Sequence, residues 1–260
     1  MRLLRSLCIA LSMYMYSGIP VPQVKWEKEN MAYAMCFFPV VGLIQGACVL
    51  LVFFLCDRLG FSAVLSGALL TLVPLAVTGG IHMDGFCDTV DALSSHAPRE
   101  KKLAIMKDPN CGAFAVIGFA SYLLISFALW HEAALTGASR YVLALVPVLS
   151  RALSAFAVVS FKSAKGDGLL ATFSGAADVR TVRTVSCLWF AAAVAGMFLC
   201  SLTLGGAALL AAGVVFGYYG RMAYSRFGGT TGDLAGWFVT VCELACLGAA
   251  VVVEKVGGLL

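Results

Sequence analysis

The stretch Leu69-Leu70-Thr71-Leu72-Val73-Pro74-Leu75-Ala76-Val77-Thr78-Gly79-Gly80-Ile81-His82-Met83-Asp84-Gly85-Phe86-Cys87-Asp88-Thr89-Val90-Asp91 changes character at its two glycines. Before them the chain is apolar from residue 61, close to the ~20 residues that carry a helix across a bilayer's hydrocarbon core. After them, three aspartates and a histidine crowd together. Asp84, Asp88 and Asp91 stand at i, i+4 and i+7, so a helix places all three on one face. Like charges that close repel unless something neutralises them. A hard divalent cation shared with phosphate oxygens does so, because Mg²⁺ prefers one or two carboxylates completed by phosphate and water. The stretch therefore reads as a membrane span delivering an acidic, Mg²⁺-using site for a phosphorylated substrate to the bilayer surface.

Working outward, apolar segments recur at 33–56, 61–79, 113–130, 141–161, 184–203, 204–220 and 234–253. Of the 260 residues, 61% are hydrophobic and 12% charged, about half the charged fraction of a soluble domain. Mean hydropathy is +0.93. Continuous apolar runs of this length imply helices, because in lipid a backbone must satisfy its own hydrogen bonds. The expected fold is all-α: a polytopic bundle of about seven membrane helices forming a single domain over 1–260. The first residues, Met1 to Ile19, resemble a signal peptide but run into Pro20-Val21-Pro22 without a small-residue cleavage site. They are read as an interfacial helix. Between 184 and 220 a break is expected at Thr203-Leu204-Gly205-Gly206, giving two helices rather than one.

Loop charge sets the orientation. Arg2, Arg5, Lys25, Lys28, Arg99, Lys101, Lys102, Lys107, Lys162, Lys165, Arg180, Arg183, Arg221 and Arg226 fall on one side, against Arg58, Arg140 and Lys255 on the other. Positive charge stays in the cytoplasm, so the N-terminus is expected inside the cell membrane, the C-terminus outside, and every acidic motif on the cytoplasmic face. The formal net charge of +4 is spread over loops, which argues against nucleic acid as a partner. Ten cysteines without a C-x-x-C pair read as small core residues, including Cys36 and Cys187.

Gly228-Gly229-Thr230-Thr231-Gly232-Asp233 opens the last span. Close glycines let backbone approach a ligand, and the helix start behind them presents N–H groups to an anion; Asp233 is suited to capping that helix. Glu243 falls near mid-bilayer, where a carboxylate costs about 3 kcal/mol on insertion scales and so needs a partner. Arg151, inside the fourth span, is that partner, or else a phosphate contact. Lys107-Asp108-Pro109-Asn110-Cys111-Gly112 is a tight turn into the third span, with Asp108 placed to cap it. Lys162 to Gly168 is either an anion-holding loop or a solvated basic one.

Taken together, Phe37 to Gly42, His82 to Leu93, Lys107 to Ala113 and Gly228 to Gly236 with Glu243 resemble the cobalamin synthase (adenosylcobinamide-GDP ribazoletransferase) family, as does Tyr16 to Pro22. The likeness runs from Tyr16 to the last span. The family often carries a basic residue where this chain has Gly18. The resemblance implies a Mg²⁺-dependent membrane enzyme joining adenosylcobinamide-GDP to α-ribazole or its 5′-phosphate and releasing GMP. Membrane lipid surrounds such a chain, and a homo-oligomer is left open.

In that chemistry Asp84, Asp88 and Asp233 are expected to hold Mg²⁺, and His82 or Asp91 to take the hydroxyl proton. Lys107, Asp108, Arg151, Lys165, Gly229, Thr231, Gly232 and Glu243 are the expected substrate contacts. Two rival classes remain. The Asp-Gly-x-x-Asp-x-x-Asp core is weakly similar to CDP-alcohol phosphotransferases, although their Ala-Arg pair and second spacing are missing. An ion-coupled transporter would use Glu243, Arg151 and the aspartates as a pathway.

Overall fold

The computed structural model describes residues 2–15, 21–133, 137–164 and 169–257. Within them the chain forms helices α1 (Arg2–Tyr14), α2 (Lys28–Met31), α3 (Phe38–Leu59), α4 (Ala63–Thr78), α5 (Ile81–Ser94) and α6 (Arg99–Ile105). These are followed by α7 (Ala113–Glu132), α8 (Ala138–Ser160), α9 (Leu169–Ala176), α10 (Val179–Cys200), α11 (Leu202–Met222) and α12 (Gly232–Gly257). A short 3₁₀ turn, Ala34–Phe37, precedes α3, and a π-helical turn, Ala223–Phe227, extends α11. Among the described residues the only β-type pairing is an isolated bridge between Ser163 and Thr230. The chain is an all-α, multi-pass membrane protein.

Among the described residues, six helical stretches are long and apolar enough to cross a membrane: Lys28–Leu59, Ala113–Glu132, Ser139–Ser160, Val179–Cys200, Leu202–Phe227 and Gly232–Gly257. The expected span at 61–79 is different. Helix α4 has 16 residues, about 24 Å at 1.5 Å per residue, short of the ~30 Å hydrocarbon core. The chain then bends by 96° into α5. Gly79 and Gly80 make that corner with φ of 63° and 84°, a left-handed conformation that glycine adopts without a Cβ penalty. The apolar run and the acidic motif are thus two arms of one bent element, which counted as a single span brings the described crossings to seven.

Helix α8 lies at the centre, packed against α3, α10, α11 and α12. Gly42 and Gly46 of α3 face its backbone at Pro147 and Ala144, where any side chain would collide. Such small-residue spacing lets membrane helices approach closely. The break between α10 and α11 comes earlier than the glycine pair suggested. Ser201 ends α10 and caps α11 by accepting the Leu204 N–H at 3.3 Å. Gly205 instead gives clearance against Met197 and Phe198. Cys187, expected in the core, is exposed on α10, whereas Cys36, Cys242 and Cys246 are buried. An apolar run in a membrane helix has an outward face as well as an inward one.

Candidate functional site

The two acidic motifs meet because α5 and α12 pack with almost nothing between them. A Cβ on Gly85 would lie 2.7 Å from the Asp233 carbonyl oxygen and 2.8 Å from its Cα. Gly236 faces His82 in the same way, with 3.2 Å from its would-be Cβ to the His82 carbonyl. Thr240 Oγ1, one turn further along α12, donates to that carbonyl at 3.3 Å. The glycine inside the acidic motif is therefore a helix-contact residue, and the contact sets Asp84 beside the start of α12.

His82, Asp84, Gly232 and Asp233 line one cavity of about 150 Å³. Asp84 and Gly232 are exposed, Asp233 half-buried and His82 buried. The same cavity has aromatic lining from Tyr14 of α1, Phe38 of α3 and Phe173 of α9. The imidazole packs beside two of these rings, 5.9 Å from Tyr14 and 5.6 Å from Phe38 between centroids, the two rings themselves being 4.2 Å apart. Its Nε2 is buried and has no hydrogen-bond partner. Ser154 of α8 lines the same cavity, and its Oγ is likewise buried and unpartnered. Two unsatisfied buried polar atoms on residues that line one cavity are a functional signal, since buried polar groups are nearly always paired. Asp84 also borders an open groove of about 980 Å³ between α4, α5 and α7, walled by Leu75, Met83 and Phe119.

Carboxylate oxygens are the hard donors that Mg²⁺ selects. Asp84 and Asp233 share a cavity, while Asp88, half-buried one turn along α5, does not line it. Among the described residues no three His, Cys, Asp or Glu side chains are arranged to hold a metal ion. The expected Asp84–Asp88–Asp233 set is thus not a protein-only cage. Asp84 and Asp233, two carboxylates at one cavity, would leave the rest of a cation's shell to substrate phosphate and water.

A family model described as cobalamin-5-phosphate synthase matches residues 7–251. The chain belongs to the cobalamin-5-phosphate synthase family. Curated relatives named adenosylcobinamide-GDP ribazoletransferase agree with this. One from Lachnoclostridium phytofermentans is 46% identical over 256 residues, covering 98% of this chain and 97% of the relative. Another from Clostridium botulinum (strain Alaska E43) is 32% identical over 243 residues, covering 93% and 96%. One from Geobacillus kaustophilus is 32% identical over 232 residues, covering 87% and 88%. No solved structure matches the chain.

The remaining positions singled out in this cobalamin-5-phosphate synthase family member divide by what they touch. Asp91 points at α7: its two oxygens accept the N–H groups of Gly112 at 2.7 Å and Ala115 at 2.8 Å. It caps α7, the task expected of Asp108. Asp108 instead closes its own turn, accepting from the Asn110 backbone at 2.9 Å and side chain at 2.7 Å. Those bonds hold its carboxyl below the usual carboxylate range. Lys107 is exposed beside it. Asp233 is not the cap of α12 either. Thr231 takes that place, accepting the Leu234 N–H at 3.2 Å, and Asp233 lies on the first turn at the cavity.

Gly229 makes its close approach to protein, against the backbone of Lys162 to Ala164. The Ala164 N–H donates to the Thr230 carbonyl there and the Thr230 N–H to the Lys162 carbonyl, both at 2.8 Å. Lys165 and Gly18 lie outside the described residues.

Arg151 and Glu243 are partners, as the cost of an unpaired mid-bilayer carboxylate required. Arg151 Nη1 donates to Glu243 Oε1 at 2.5 Å. Gln45 accepts from Arg151 Nη2 and donates to Glu243 Oε2, both at 2.7 Å, and Ser150 Oγ donates to Glu243 Oε1 at 2.9 Å. This network occupies Arg151 and Glu243 with each other. Gln45 and Ser154 escaped the sequence reading, yet both are polar residues within apolar spans, the same signal that singled out Glu243.

Proposed function

We propose that this chain is an adenosylcobinamide-GDP ribazoletransferase, joining adenosylcobinamide-GDP to α-ribazole or its 5′-phosphate with release of GMP. The observation that carries the reading is the convergence of His82, Asp84 and Asp233 on one cavity in a chain of this family. The distribution of loop charge supports an N-in, C-out orientation with the cavity mouth on the cytoplasmic side of the cell membrane.

A ribose hydroxyl of the acceptor attacks the cobinamide-side phosphorus. The new P–O bond forms as the bond to the bridging oxygen breaks, and GMP leaves with that oxygen. Such transfers depend on positioning and on neutralising oxygen charge. Asp84 and Asp233, with Asp88 one turn behind, would hold Mg²⁺, which supplies that neutralisation on the diphosphate. The hydroxyl proton goes to His82, whose Nε2 has no partner. Asp91, with both oxygens held by α7, is a positioning residue. The bulky corrinoid donor suits the large groove and the smaller acceptor the cavity, since Asp84 borders both.

The test is turnover by detergent-purified protein given adenosylcobinamide-GDP and α-ribazole 5′-phosphate, with Mg²⁺ or EDTA. Mg²⁺-dependent GMP with a cobamide product supports the reading. No product from folded protein, with free α-ribazole also offered, overturns it in favour of transport or a CDP-linked donor.

A further inference from the structure

We infer that the buried end of the cavity receives the heteroaromatic base of the acceptor, with Ser154 Oγ donating to the base's unsubstituted ring nitrogen. The inference rests on the ribazoletransferase reading and adds a specificity-determining residue to it.

Three observations lead there. The first is size: about 150 Å³ suits one small ring system, since an apolar cavity of that order binds benzene. It excludes a corrinoid. The second is wall chemistry. Tyr14, Phe38 and Phe173 supply aromatic surface and Val158 aliphatic surface, and among the described residues no lysine or arginine lines it. Those walls suit a flat neutral ring and not a phosphate. The third is polarity. Ser154 is 1% exposed and its Oγ has no protein partner, so an acceptor atom of a ligand would satisfy it. Burial deepens in the sense the acceptor needs: Asp84 is exposed, His82 is 8% exposed and Ser154 1%. A ribose hydroxyl at His82 leaves the attached base pointing inward. Ribazole's base, a benzimidazole, has one ring nitrogen not bonded to the sugar, a hydrogen-bond acceptor.

Binding of two α-ribosides to the detergent-purified full chain tests this, without donor or turnover. One carries benzimidazole and the other indole, which has nearly the same shape but a C–H in place of the ring nitrogen. Ser154→Ala removes a hydroxyl that the ligand-free protein does not satisfy, so the melting temperature should not fall. The variant should weaken the benzimidazole riboside roughly tenfold, as expected for one lost neutral hydrogen bond. It should leave the indole riboside, already weak, unchanged. Equal losses for both ribosides would make Ser154 a packing residue and overturn the inference, as would no loss at all. Ring-nitrogen dependence that survives Ser154→Ala would place the base elsewhere. These failures leave Mg²⁺-dependent GMP release intact, whereas failure of the parent reading abolishes it.

Discussion

Replacing Gly85 with alanine tests whether the contact between α5 and α12 builds the site. The added methyl would sit 2.7 Å from the Asp233 carbonyl oxygen and 2.8 Å from its Cα, about 0.7 Å inside ordinary contact near 3.4 Å. Both atoms are backbone, so no side chain can swing away and the helices must part. Overpacking of this kind costs roughly 1–3 kcal/mol. Misplacement of catalytic groups by about 1 Å costs on the order of 100-fold in rate. The expected outcome is a lower melting temperature in detergent and GMP release reduced by roughly two orders of magnitude. Gly232→Ala is the stability control, since a Cβ there meets nothing within 4 Å and the melting temperature should hold. Wild-type turnover and stability in Gly85→Ala would refute the claim that this helix contact positions Asp84 against Asp233.

Other variants separate chemistry from architecture. Asp91→Asn keeps only one acceptor oxygen for the two α7 N–H groups, so stability should fall by about 1 kcal/mol in thermal denaturation while the apparent Mg²⁺ affinity holds. Asp84→Asn should do the reverse, losing turnover at an unchanged melting temperature. His82→Gln should lower kcat by roughly 10²–10⁴-fold, measured as initial GMP release with both substrates saturating. Glu243→Gln leaves the Arg151 charge buried and should destabilise by about 3–5 kcal/mol; adding Arg151→Met should recover part of the loss in yield of folded protein.

Much of the fold was legible because bilayer thickness imposes run lengths on the sequence. The apolar segments appear as helices, and the mid-bilayer cost of Glu243 identified Arg151 as its partner. The α4–α5 corner was not legible as a bend: Gly79-Gly80 marks an end to the apolar run, and nothing local specifies 96°. The caps were misassigned for a related reason. Asp108 and Asp233 stand where local spacing puts a cap, but α7 is capped from a distant helix by Asp91 and α12 by Thr231. Local pattern shows that a helix start needs an acceptor, and tertiary packing decides which one arrives. The shared helical face of the aspartates was real as geometry, yet Asp91 turns to α7 while Asp84 meets Asp233. Ser154, one of several serines within apolar spans, is set apart by lining the cavity of His82 with its hydroxyl buried and unpartnered.

The most direct test of the central claim follows GMP and cobamide product from adenosylcobinamide-GDP and α-ribazole 5′-phosphate in three folded proteins: wild type, Asp84→Asn and Asp233→Asn. Wild type should turn over with Mg²⁺ and stop with EDTA, and neither variant should form product at an unchanged melting temperature. Product from either variant at the wild-type rate would contradict a site built from both acidic motifs.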